Sequence, residues 1–88
     1  MIPRNVVKTA DVQAAACYLI ENKIPNNSTK FDVEIIFEDE VQYVAPKRLI
    51  SEAFVFASGE ALPVHTFSGG QESNSFLKKL GFEVKRKN

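Results

Sequence analysis

Apolar residues recur at helical spacing in three stretches and alternate in one, and that rhythm predicts the elements. Thr9 reads as an N-cap, and Ala10 to Lys23 carries Val12, Ala15, Ala16, Leu19 and Ile20 on one face of a helix. Ile24-Pro25-Asn26-Asn27-Ser28 ends it in a polar loop. Phe31 to Phe37 then alternates, with Phe31, Val33, Ile35 and Phe37 on one side and Asp32, Glu34 and Ile36 on the other. Glu38-Asp39-Glu40 reads as an acidic turn, and Val41 to Val44 returns as the second strand of a hairpin. Pro46 suits the first position of a second helix, whose stripe is Leu49, Ile50, Ala53, Phe54 and Ala57 and which Gly59 closes. Phe56 falls off that stripe. Glu60 to Thr66 is a connection. A third helix runs from Ser68 or Gln71 to Leu80, with Phe76, Leu77 and Leu80 inward and Lys78 and Lys79 outward. Ser68 and Gln71 have the spacing of a capping box, and Gly81 stands where a left-handed residue would stop the helix. Phe82 to Lys85 supplies a third strand, and Arg86-Lys87-Asn88 is expected to fray.

The order α-β-β-α-α-β predicts an α+β fold, an antiparallel three-stranded sheet with helices packed on one face. Eighty-eight residues with 44% apolar content suit one domain over positions 1–88. Eleven basic residues against eleven acidic ones leave no net charge. Any nucleic-acid role must therefore rest on a local patch and not on an overall basic excess. The lone Cys17 has no intramolecular partner for a disulfide, and it is expected to be a buried thiol beside the first helix's stripe. No apolar run approaches the ~18 residues of a membrane span. A cytoplasmic protein is expected.

Catalytic chemistry finds little to use. His65 is the single histidine, and Ser68 three residues on has no third group to orient a base against it. Neither a zinc motif nor a phosphate-loop signature occurs. Glu38-Asp39-Glu40 reads as a solvated turn, because three consecutive carboxylates cannot converge on one ion. No catalytic residue, metal or cofactor is expected. Binding has better material. Ser68-Gly69-Gly70 places free amides at a helix start, which suits a phosphate or carboxylate, although the glycines also serve a tight turn. Lys47 and Arg48 lie in the first turn of the second helix, against the favoured sign of its dipole. Lys78-Lys79 and Lys85-Arg86-Lys87 are the other basic groups. If the last strand lay beside the second helix, all three groups would merge into one surface remote from the acidic turn.

Three further stretches carry a family resemblance. Ile24-Pro25 with Ser28-Thr29-Lys30-Phe31-Asp32-Val33, Pro46-Lys47 with Ile50-Ser51-Glu52-Ala53, and Phe67-Ser68-Gly69-Gly70 with Phe76-Leu77, Leu80-Gly81-Phe82 cover nearly the whole chain. Together they resemble a small domain found at the N-terminus of HNH endonucleases and in Mcr-type modification-dependent restriction proteins. Val44 and Ala45 replace the tyrosine and first proline of that family's pattern, and no nuclease motif stands in these residues. The resemblance implies a non-catalytic recognition domain of a restriction or defence system, with DNA as partner. Lys47, Arg48, Ser68, Gly69, Gly70, Lys78 and Lys79 would carry the contact. The alternative is a protein-docking module or free-standing regulator of a nuclease. Phe56, Val55 and Val64 would then matter more than the lysines.

Overall fold

Alternation in β1 (Phe31–Phe37) puts Val33 and Ile35 in the core, while Ile36 on the opposite face is 67% exposed. The computed structural model describes residues 1–87. In it β1 is the central strand of a sheet ordered β2-β1-β3, with β2 (Glu40–Val44) and β3 (Glu83–Arg86) both antiparallel to it. The helices α1 (Thr9–Glu21), α2 (Pro46–Ser58) and α3 (Gln71–Lys79) cover the inward face, with a 3-10 turn at Val64–Thr66 between α2 and α3. The architecture is the α-β-β-α-α-β domain that the periodicity predicts.

The core draws on all three helices and on β1 and β2, with Val84 of β3 packed against it. Val12, Ala15, Ala16 and Leu19 of α1 meet Leu49, Ile50, Ala53 and Phe54 of α2, Leu77 of α3, and Val33, Ile35 and Val44 of the sheet. Each large side chain so buried contributes roughly 1.5–3 kcal/mol. Three members lie outside any predicted element: Phe67 follows the 3-10 turn, and Ile2 and Val7 bury themselves from an irregular N-terminal strap. Cys17 is half-buried, not buried, because it flanks the α1 stripe.

Several element ends differ from the sequence reading, each for a local reason. Lys8, not Thr9, is the N-cap of α1, and the Asp11 carboxylate accepts the Lys8 backbone N–H at 2.9 Å. The Thr9 hydroxyl instead donates to the Leu80 carbonyl at 3.0 Å, tying α1 to the end of α3. That end is a Schellman stop. Gly81 has φ +94°, its N–H reaches the Lys78 carbonyl, and the Phe82 N–H reaches the Leu77 carbonyl, both at 3.0 Å. The C-terminal residues do not fray at Arg86: Arg86 pairs with Phe31, and the Lys87 N–H donates to the Lys30 carbonyl at 2.7 Å. Asn88 lies outside the described residues.

The hairpin is tighter than a three-residue turn. Phe37 pairs with Glu40, so Glu38 and Asp39 alone make the reversal, with φ of +51° and +65°. Positive φ at both central positions is the geometry whose twist matches a two-residue hairpin, and Asn-Gly adopts it at least cost. A side chain forced there costs on the order of 1–2 kcal/mol. Replacing Glu38→Asn and Asp39→Gly together is expected to raise the unfolding free energy by about 1 kcal/mol. A higher urea midpoint at unchanged m-value checks it.

Candidate functional site

The Ser68-Gly69-Gly70 turn is shaped by backbone and not by the expected capping box. Gly70 is the N-cap of α3 at φ +64°, ψ −123°, and no side chain caps it. That conformation lies essentially in glycine's territory. Gly69 lies against the lysine stem: a Cβ there would stand 3.4 Å from Lys47 Cδ, at van der Waals contact. Ser68 holds the turn by its backbone. Its N–H donates to Glu72 Oε1 at 2.7 Å, and its carbonyl accepts from the buried Ser73 hydroxyl at 2.6 Å. Gln71, assigned to the box by spacing, is exposed, and Glu72 takes the carboxylate role one position later.

Glu72 also accepts the Ile2 N–H on Oε2 at 3.0 Å, and the N-terminal ammonium lies 3.8 Å away. One carboxylate thus joins the N-terminal strap to the turn. The Ser68 N–H holds its pKa below the ordinary 4.5, against a partial desolvation that raises it; the Ile2 N–H, the terminal ammonium and the nearby Lys47 charge add to the lowering. The sequence hid this role, since Glu72 reads only as an acid in the first turn of a helix.

Lys47 extends from the first turn of α2 along Gly69 and sets its ammonium 5.1 Å from the Phe67 ring centroid. At the end of the sheet, Arg86 places its guanidinium 5.8 Å from the ring centroid of Phe31. Such contacts are worth about 0.5–1 kcal/mol at exposed sites and fix the cation's position. Lys47 and Arg86 line one open cleft of about 780 Å³ with Lys30, Arg48, Gly69 and Gly70. The Ser28-Thr29 loop forms a further wall, and Pro46 and Phe31 contribute apolar surface. Among the described residues no carboxylate lines this cleft and none of its four cations is in an ion pair. The N-termini of α2 and α3 both open onto it, and no side chain caps either one.

Of the residues singled out in the sequence, Lys47, Arg48, Gly69 and Gly70 therefore come together. Ser68 stands outside the cleft lining, and so do Lys78 and Lys79. The predicted merger of all three basic groups is only partial, because β3 pairs with β1 and does not run beside α2. Arg86 joins the cleft. Lys85 lies elsewhere, bonded at 2.9 Å to Glu34, whose carboxylate holds the lysine pKa above its ordinary value. Lys87 donates to the Ser28 carbonyl at 2.9 Å and lies 3.8 Å from Asp32. Lys30 and Arg86 went unpredicted as site residues, since only the Phe31–Arg86 pairing across the sheet brings them there. The acidic hairpin turn lies at the other end of β1, about 20 Å away at 3.4 Å per residue.

Other candidate groups remain apart. His65 is exposed in the 3-10 turn, and among the described residues no His, Cys, Asp and Glu side chains cluster to hold a metal ion. Phe56 and Tyr18 meet edge to face at 6.2 Å on the α1–α2 surface, both more than 40% exposed. Among the described residues no helix is long and apolar enough to cross a membrane.

The sign of the Glu72 effect is fixed by its lowered pKa. Its contribution to stability is complete above the ordinary 4.5 and is lost as pH falls through the lower folded-state value. Glu72→Gln is therefore expected to be less stable than the parent chain at pH 7, with the gap narrowing as pH is lowered past that window. Urea midpoints at pH 7 and pH 3 check this; a gap of constant size would show that the carboxylate charge has no part in holding the strap.

Compared with protein-family models, with curated proteins and with solved structures, the chain matches none.

Proposed function

We propose that this chain is a non-catalytic recognition domain that binds DNA through its sugar-phosphate backbone, as the likeness to the head domains of restriction proteins implies. The observation that supports it is the cleft holding Lys30, Lys47, Arg48 and Arg86 with no carboxylate lining it among the described residues. A chain of zero net charge that gathers at one place four cations in no ion pair among the described residues has a local field suited to a polyanion. Lys47 and Arg86 are held on aromatic rings, so less side-chain entropy is lost when a phosphate arrives. Phosphate contacts of this kind supply affinity and register, whereas base identity must be read by other groups. A cytoplasmic setting and an association with a restriction or defence system belong to this reading.

A second reading has its own observation. The Tyr18–Phe56 pair, with Val55 36% exposed on the same helix as Phe56, is a small apolar patch of the kind that docks a protein such as a nuclease subunit. On that reading Phe56→Ser abolishes association and leaves DNA binding untouched.

The deciding measurement is fluorescence anisotropy of a labelled 16-base-pair duplex, plain and base-modified, between 50 and 200 mM salt. Binding is expected to weaken as salt rises, and Lys47→Ala with Arg86→Ala is expected to flatten the log–log slope by about 2, near one per lost phosphate contact. A duplex that stays free at 50 mM salt removes DNA as the direct partner.

A further inference from the structure

A second cleft, of about 860 Å³, lies between the N-terminal strap and α3. Its side-chain cations are Arg4 and Lys8 from the strap and Lys79 from α3, all exposed, and among the described residues none is in an ion pair. Its one lining carboxylate is Glu72, already engaged by the Ser68 and Ile2 amides. The remaining walls include Phe76, Leu80 and Val7, so the cations stand on an apolar base. Gln71 lines this cleft and the Lys47–Arg86 cleft alike. The two clefts therefore share one exposed wall residue.

We infer that this second cleft continues the binding surface, so that a single phosphodiester chain runs from Lys30 and Arg86, past Lys47 and Arg48, over Gln71, to Arg4, Lys8 and Lys79. The inference rests on the DNA-binding reading of the first cleft and goes beyond it in assigning a second site and its ligand. Four clustered cations suit one or two phosphates. Seven on two clefts that share a wall residue, in a molecule 30 × 25 × 22 Å across, match a longer run. Such a face spans about eight base-pair steps at 3.4 Å per strand. The strap is held for this role at both ends. Ile2 and Val7 are buried, while between them Asn5 turns the backbone at φ +63° and Arg4 stays exposed.

The test is the salt dependence of binding to the same 16-base-pair duplex, with a 16-nucleotide single strand as a second probe. At about 0.9 per neutralised phosphate, seven contacts give a slope near −6, or roughly a 6,000-fold loss of affinity between 50 and 200 mM salt. The triple variant Arg4→Ala, Lys8→Ala, Lys79→Ala is expected to retain binding at a slope near −4, losing about 150-fold over the same range. Lys79→Glu alone, at an exposed position that leaves the strap intact, should weaken duplex binding at least fivefold at 100 mM salt. A parent slope near −4 that neither variant alters would overturn the extension and leave the first cleft as the whole site. Tighter binding of the single strand would keep the track and change its partner from duplex to unpaired chain. Absence of binding to either probe at 50 mM salt would overturn both readings together.

Discussion

The one-sided burial of β1 is the constraint from which the other placements follow. Val33 and Ile35 must be covered, and the strand has neighbours on both edges, so the covering has to come from helices stacked on that face. α2 begins two residues after Val44 leaves β2, and β3 ends where Arg86 meets Phe31. The start of α2, the end of β3 and the entry to β1 are therefore forced to the same end of the sheet. Connectivity carries Lys47 and Arg48 there, and the β1–β3 register carries Lys30 and Arg86, before any side-chain contact is made. The Phe67 and Phe31 rings then set where two of those charges sit.

Zero net charge conceals this separation. Pairing removes Lys85 and Lys87 into local bonds with Glu34, Asp32 and the Ser28 carbonyl. Glu38, Asp39 and Glu40 lie at the far end of the sheet from the Lys47–Arg86 cleft. Whole-chain charge is thus a poor guide to what a surface of this size attracts, and the arrangement of the charges decides it.

The fold was legible because its elements carry clean periods. The alternation of Phe31 to Phe37 and the stripes of α1 and α2 each point to one buried face, and the structure buries it. What stayed hidden depended on contacts distant in sequence. Ile2 and Val7 have no periodic neighbours to mark them as core residues. Glu72 contacts Ser68 and Ile2 from a position four residues from one and seventy from the other, which no local pattern encodes. The capping box failed because a glycine with positive φ starts the helix, leaving Ser68 outside it. The site was legible in half: Lys47, Arg48, Gly69 and Gly70 are near neighbours of predicted helix starts. Lys30 and Arg86 required the β1–β3 register, and Lys79 went to the other cleft because α3 presents it beside Leu80 and the strap.

The hairpin turn has a meaning beyond its backbone geometry. β2 is an edge strand, and on the uncovered face of the sheet Val41 and Tyr43 stand beside Ile36, all about half exposed or more. An apolar edge of this kind is a template on which another chain can add a strand. Glu38, Asp39 and Glu40 place three carboxylates at one end of that edge, and charge beside an exposed strand disfavours its pairing with another chain. Residues ill suited to the dihedral angles they occupy are in this sense gatekeepers, accepting a local conformational cost to keep neighbouring molecules apart.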